Sequence, residues 1–186
     1  WKKRKPCYNL LVGRISVKEI TNEKLQKTLG RTMVFLKELR VSKQYNKIRQ
    51  QTEKYLKFCK SQWNKNYCVA SKVIEELTGL KLKKNFAVYI THPSLRNGSY
   101  KGNNTIEWGH HEDWPNYATI YLWHEVLHSY LGYGDKEHAV IELITDEELK
   151  VRLNGGSTYP LFVGHKHLNK VKRKLLPKWK KYLKLE

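Results

Sequence analysis

Apolar residues recur at helical spacing through the N-terminal part of the chain, and this periodicity predicts three helices. The predicted helices are residues 21–39 with Thr21 as N-cap, residues 41–63 with Ser42 as N-cap, and residues 68–82. Within the last of these, a glycine after the apolar positions marks the expected end of the helix.

The hydrophobic period then changes from that of a helix to that of a strand. In NFAVYITH, apolar residues alternate at Phe86, Val88 and Ile90, the pattern of a half-buried strand. The following HPSLRNGSYKGNN is rich in turn residues and is predicted to be irregular. A second strand is predicted in NTIEWGH, residues 104–110.

Two helices are predicted after the strands, and a basic tail follows them. The first runs from about 117 to 131 and is capped by Asp113 or Asn116. The second covers roughly 136 to 153, and the tail is helical but broken near Pro177.

These elements predict an α+β fold. It comprises N-terminal helices, a small and mostly antiparallel sheet, two helices that carry the chemistry, and a basic C-terminal helix. Composition divides the chain into residues 1–80, 81–156 and 157–186, which we expect to form one compact domain.

The charge of the chain is distributed unevenly. The net charge is +19, yet residues 107–148 hold ten acids and a single base, Lys136. An acidic segment therefore interrupts a strongly basic chain. The basic flanks indicate either a polyanionic partner, such as nucleic acid, or a lysine-rich solvated surface.

The cysteine count and the hydropathy bear on the compartment. Three cysteines without C-x-x-C spacing argue against a disulfide scaffold and against a cysteine zinc ribbon. No run of about 18 apolar residues or signal-peptide pattern occurs. We therefore expect a cytoplasmic protein with reduced thiols and no transmembrane segment.

The stretch YLWHEVLHSYLG carries the strongest chemical signal. His124 and His128 are four residues apart on a predicted helix, so their imidazoles project from one face and can share a metal ion. Glu125 lies about 100° further round the helix, where its carboxylate can reach water bound to that metal. This spacing suits hydrolysis, because a metal acidifies water and a carboxylate can accept its proton.

A site of this type needs a third protein ligand, and the next helix offers three candidates. His138, Glu142 and Asp146 are spaced by four residues and share one face of that helix. A polar stripe is costly to bury unless its groups are paired or bound to a metal. The other interpretation is that the two acids simply point to water.

The two motifs HEVLH and ELITD together resemble the gluzincin class of zinc metalloproteases, most closely its minimal members. The resemblance covers about residues 85–150. It implies one zinc ion per chain held by His124, His128 and Glu142, with Glu125 as general base and Asp146 as the group that orients a zinc histidine. It also implies that NNTIEWGHH binds a peptide or protein substrate as an added strand.

The identity of the third metal ligand stays open because of His138, which a different kind of protease would use. Proteases of the SprT and Spartan type, which cut proteins crosslinked to DNA, use a downstream histidine, and His138 is placed for that role. The Glu-x-x-x-Asp spacing favours Glu142. The metzincin continuation is absent, because Leu131 and Gly134 stand where that family has glycine and histidine.

The segment after the ligand helix offers candidates for stabilising an oxyanion, as later residues do in gluzincins. His165 is the catalytic candidate, and Tyr159 and His167 lie near it in sequence. The function expected is zinc-dependent peptide hydrolysis. The alternatives are a basic nucleic-acid-binding protein with a structural or vestigial zinc site, or a SprT-like protease acting on protein–DNA complexes.

Overall fold

The computed structural model describes residues 23–155 and 164–184, and the chain divides into two compact units, residues 1–50 and 51–186. The first helix, α1, is Glu23–Val41. Ser42 separates it from α2, and its Oγ accepts a hydrogen bond of 3.1 Å from the backbone N–H of Tyr45. The predicted N-cap at Ser42 is thus confirmed, whereas Thr21 lies outside the described residues.

Helix α2 is one element, Lys43–Thr78, so the prediction of separate helices over 41–63 and 68–82 was wrong. The intervening NKNY contains neither glycine nor proline, and nothing in it stops the helix. The buried Asn66 donates to the Gln62 carbonyl within the helix (3.0 Å) and to Oδ1 of Asn116 (2.8 Å), so its amide group is satisfied. The helix ends before Gly79, whose φ of +66° is left-handed.

The sheet has three strands in the order β1–β3–β2 and is mixed rather than mostly antiparallel. Strand β1 (Ala87–Ile90) pairs in parallel with β3 (Thr105–Gly109), and β2 (Asn97–Gly102) pairs antiparallel with β3. The prediction that residues 92–104 form only turns was therefore wrong for β2.

Strand β2 escaped prediction because its sequence, NGSYKG, looks like a turn. The chain actually reverses on either side of it, in the 3₁₀ turn Pro93–Leu95 and at Asn103 and Asn104, whose φ values are +47° and +53°. Gly98 is required inside the strand, because a Cβ there would lie 2.8 Å from the ring of Trp108.

Helix α3 (Tyr117–Leu131) matches the predicted helix, but its N-terminus is held differently. Asn116 precedes it in a left-handed conformation without a side-chain capping bond. The free N–H groups of Ala118 and Thr119 instead donate to the carboxylate of Glu112 and the amide oxygen of Gln62, at 2.9 Å each. A residue of the preceding loop and a residue of α2 thus cap the helix that carries both motif histidines.

The next helix is continuous but changes its winding. It runs as α4 (Asp135–Glu142), then a π-helical segment (Leu143–Leu149), then α5 (Lys150–Asn154). Thr145, Asp146 and Glu147 are fully buried within the π-helical segment. A π-helical turn commonly marks a functional site.

The C-terminal helix α6 (Asn169–Tyr182) continues through Pro177, so the predicted break there was wrong. Tertiary contacts hold it on both sides of the proline. Lys172 is fully buried on one side, and on the other Trp179 packs against the core while the Tyr182 hydroxyl donates to the Leu77 carbonyl (2.9 Å).

The fold of the second unit is of the α+β class, and its core lies between the sheet and three helices. Fully buried core residues include Ile74, Ile106, Ile120 and Ile141, one each from α2, β3, α3 and α4. Cys59 and Cys68 are free thiols. Within the described ranges, no helix has both the length and the apolar character needed to cross a membrane.

Candidate metal centre

The two motif histidines lie on a buried face of α3. His124 is 2% exposed and His128 is 7% exposed, and their ring centroids are 5.1 Å apart. Helix α3 is apolar around them, so both imidazoles are enclosed by the core rather than by water.

His138, from α4, completes a group of three. Its Nε2 lies 3.0 Å from Nε2 of His124, and its ring centroid is 4.7 Å from that of His128. One nitrogen from each residue lies within 4.8 Å of the other two. Since metal–imidazole bonds are about 2.0–2.1 Å long, His124, His128 and His138 could hold one metal ion between them.

Hydrogen bonds determine which nitrogen the two α3 histidines present. Nδ1 of His128 lies 2.8 Å from the Gly132 carbonyl, which only accepts, so Nδ1 carries the proton. Nδ1 of His124 faces Oδ1 of Asp146 at 3.5 Å. In their neutral forms both rings therefore present an Nε2 lone pair, which a metal ion could bind in place of a proton.

The pKa values of the three histidines are shifted in different directions. Burial lowers the pKa of His138 to about 3, with the neighbouring His124 and His128 acting in the same direction. Burial also lowers the pKa of His128. For His124 burial acts in that direction too, but the hydrogen bond to Asp146 raises its pKa above the ordinary value.

Asp146 and Thr145 form the outer layer of the site. The hydroxyl of Thr145 lies 2.9 Å from Oδ1 of Asp146 and 3.4 Å from Nδ1 of His124. The π-helical winding brings both residues to the same imidazole. A carboxylate in this position orients a ligand histidine and increases its basicity.

Glu125 is next to the histidines but is held by the sheet. Its side chain is 8% exposed, and Oε2 accepts a hydrogen bond of 2.7 Å from the backbone N–H of Tyr100 in β2. Its negative charge favours the protonated forms of both His124 and His128, although burial still leaves the pKa of His128 below its ordinary value.

Glu142 is not brought into the group formed by the α3 histidines. Its Oε1 accepts from the backbone N–H of His165 and faces the Nδ1 of that ring, each at 2.7 Å. Its Oε2 lies 2.7 Å from Nζ of Lys172, and both side chains are fully buried. Burial raises the pKa of Glu142, but the bonds from His165 and Lys172 outweigh it and hold the pKa at about 2.

A second group, His138, Glu142 and His165, also has its ligand atoms within 4.8 Å of one another. His138 belongs to both groups, and its Nε2 is 4.0 Å from Oε1 of Glu142. The ring of His165 is half exposed and 4.7 Å from that of His138, so it forms the solvent side of the site.

Sequence reasoning missed two residues that shape this site. Lys172 is one of many lysines in the basic tail, and its sequence context gives no sign of burial. Gly164 packs against the acids with φ +88°, and a Cβ there would lie 2.5 Å from Oδ2 of Asp146. Among the other candidates, His167 lies beside His165 (ring centroids 5.6 Å), and Tyr159 is outside the described residues.

The order of the strands contradicts the expectation that NNTIEWGHH pairs with a substrate strand. Residues 103–111 contain β3, which is the central strand and pairs on both edges, so it cannot accept another strand. The edge strand beside α3 is β2, through the contact between Tyr100 and Glu125.

Comparisons with known proteins give no identification: no protein family, no curated protein and no solved structure matches this chain.

Proposed function

We propose that this chain is a zinc-dependent metallopeptidase. The observation that carries the proposal is the convergence of three imidazoles with Nε2 lone pairs presented by His124 and His128. The Nε2 atoms of His124 and His138 lie 3.0 Å apart, and lone pairs that face each other at this distance repel unless a proton or a shared metal ion lies between them. Zinc held there would act as a Lewis acid toward water and toward a peptide carbonyl.

His138 is proposed as the third ligand in preference to Glu142. Its nitrogen already lies beside that of His124, whereas both oxygens of Glu142 are occupied by His165 and Lys172. Glu142 would then hold His165 in place, and the half-exposed His165 would stabilise negative charge developing on the substrate oxygen.

Glu125 is proposed as the general base. Its carboxylate lies next to the two α3 histidines and is shielded from solvent, where it can accept a proton from the attacking water. A peptide substrate that pairs with the edge strand β2 would approach this carboxylate through Tyr100.

Metal content and hydrolysis of an unfolded protein test the proposal. We expect one zinc per chain, lost or sharply weakened in His128→Ala and His138→Ala but retained in the exposed control His111→Ala. Glu142→Ala distinguishes the two ligand assignments, because only a directly bound Glu142 would reduce the zinc stoichiometry to the same extent as His138→Ala. Protein that binds no zinc under zinc-replete conditions would contradict the proposal.

The role of Glu125 is tested separately. Glu125→Gln keeps the size and the hydrogen-bond acceptor for Tyr100 but removes the base, so we expect zinc to remain while hydrolysis falls by about 10²-fold or more. Unchanged hydrolysis by a zinc-loaded Glu125→Gln variant would contradict this assignment.

A second candidate function is favoured by the position of His138. A downstream histidine ligand is the feature shared with SprT and Spartan type proteases, and the net charge of +19 suits DNA. On this hypothesis DNA stimulates hydrolysis by the wild-type protein, and the stimulation declines steeply with salt concentration. Salt-dependent DNA binding in the absence of hydrolysis would instead support a nucleic-acid-binding protein.

A further inference from the structure

A second recess lies on the side of α3 away from the histidines. Its volume is about 460 Å³, within the usual range for binding pockets. Helix α3 contributes Leu122, Val126 and Tyr130, which follow one another at four-residue spacing on a different face from His124 and His128. The recess is therefore separate from the metal centre.

Aromatic and aliphatic side chains line the recess. Trp63 of α2 stacks on Trp123 of α3 at 5.0 Å, and Tyr67 lies 5.8 Å from the same indole. The recess is open, because large apolar residues at its mouth remain exposed: Leu56 (45%), Tyr67 (42%) and Val88 (40%). A groove with this lining will bind apolar groups that would otherwise face water.

One wall of the groove is the unpaired edge of β1. In the parallel pair, the N–H groups of Ala87 and Thr91 donate to the carbonyls of Asn104, just before β3, and Trp108, in β3, at 2.9 and 2.8 Å. Alternate residues point the other way, so the N–H and C=O groups of Val88 and Ile90 face outward from the sheet. Among the described residues, no backbone or side-chain group pairs with these outward groups.

The side chains of Val88 and Ile90 line the groove, while their backbone groups lie along its edge. A strand added beside β1 would lie about 4.8 Å away, and every second side chain would point into the groove. Backbone pairing would thus supply affinity, and the apolar recess would select alternate side chains.

The charge of the lining indicates the partner. The lining includes Lys60 and Lys84 and contains neither aspartate nor glutamate. Lys84 also donates to the Ser129 carbonyl at 2.7 Å, which keeps its positive charge at one end of the groove. An acidic segment is therefore favoured over a basic one.

We propose that the groove between α2 and β1 binds an extended acidic peptide segment of another protein, which adds to β1 as an edge strand and inserts alternate apolar side chains beside Trp63 and Trp123. This docking site is independent of the proposed peptidase activity, because it uses the opposite face of α3.

The test is fluorescence anisotropy of a labelled synthetic heptapeptide in which glutamate alternates with valine, isoleucine and leucine. The full chain carrying Glu125→Gln is used, so that the probe is not cleaved. We expect binding to weaken by about tenfold or more when alternate backbone nitrogens of the probe are methylated, because methylation removes the pairing donors without altering the protein.

A charge variant tests whether the lysines that line the groove favour an acidic peptide. Lys60→Glu should weaken binding of the acidic probe several times more than Lys57→Glu, an equal charge change on the same helix outside the lining. Equal weakening by both variants, equal affinity for the methylated probe, or no binding at all would overturn the proposal. Binding of dodecanoate in the groove without binding of the peptide would also overturn it, in favour of a small anionic amphiphile.

Discussion

Lys172 illustrates how one residue can determine the electrostatics of a buried site. Its ammonium and the carboxylate of Glu142 lie 2.7 Å apart, and neither side chain is exposed to solvent. Removing one member of such a pair leaves the other charge buried without its main counterion, a larger penalty than the pair itself is worth.

We expect Lys172→Met to lower the free energy of unfolding by about 3–5 kcal/mol. Lys174→Met, an exposed position on the same helix, should change it by less than about 0.5 kcal/mol. Urea denaturation followed by circular dichroism measures both. Equal effects in the two variants would show that the buried ion pair is not formed.

Gly164 is the second residue whose identity the site constrains. With φ of +88°, any other residue there is strained, and a Cβ would also meet the carboxylates of Asp146 and Glu142. We expect Gly164→Ala to lower the free energy of unfolding by at least about 3 kcal/mol. This is the sum of the backbone strain and the collision of the new Cβ with the two carboxylates.

Gly79→Ala is the matched control for this prediction. Gly79 has a similar φ of +66°, and no described atom lies within 4 Å of a Cβ placed on it. Gly79→Ala should lower the free energy of unfolding by only about 1–2 kcal/mol, from backbone strain alone. A thermal shift of Gly164→Ala no larger than that of Gly79→Ala would contradict the packing described at the site.

At the scale of elements, sequence pattern predicts what depends on local chemistry. Helix α3 and the end of α2 at Gly79 follow from hydrophobic period and stop residues. Strand β2 could not be predicted, because its glycines and polar residues are strand-forming only when β3 lies beside them. The sequence pattern predicts a helix over residues 143–149 but gives no sign of its π-helical winding.

The N-terminus of α3 depends on an asparagine network between elements. Asn66 of α2 donates to Oδ1 of Asn116 at 2.8 Å, and Nδ2 of Asn116 donates to Oδ1 of Asn154 at 2.7 Å. Asn116→Gly retains the left-handed backbone but removes both bonds, so we expect a loss of about 1–2 kcal/mol.

Asn103→Gly provides the control for this network. Asn103 also has a positive φ, +47°, but it is exposed in the turn between β2 and β3, where glycine is equally suitable. It should change stability by less than about 0.5 kcal/mol. Chemical denaturation that fails to separate the two variants would argue against the network.

At the scale of the whole molecule, the shifted groups predict acid sensitivity of the metal-free protein. His138 and Glu142 both have pKa values below their ordinary ones, about 3 and about 2. The unfolded chain therefore binds more protons as the pH falls, and stability is lost from about pH 6.5 downward, most steeply below about 4.5. The raised pKa of His124 opposes this loss in part.

Denaturation midpoints measured in chelator from pH 8 to pH 3 test this prediction. We expect a continuous fall with decreasing pH, and a shallower fall below about pH 4.5 in Glu142→Gln, which cannot titrate. A stability that rises on acidification would contradict the charge states assigned to the site.

The site as a whole could be predicted only in part from sequence. The HEVLH motif placed His124 and His128 correctly on one helix face because four-residue spacing is a local property. The choice between His138 and Glu142 is not local. It depends on Lys172 and His165, which pair with the carboxylate of Glu142. Both residues lie more than twenty positions further along the chain.

The pairing of Glu142 with Lys172 also has a consequence for the timing of synthesis. Translation produces both motif histidines and His138 well before Lys172. The nascent chain therefore holds its candidate ligands while Glu142 still lacks its counterion. Glu142 gains its buried counterion, and the pairing of Glu142 with His165 its charge balance, only after the C-terminal helix has docked. In the proposed peptidase, the oxyanion-stabilising His165 would therefore be set in place late in synthesis, which would limit cleavage of the protein's own unfolded chain on the ribosome.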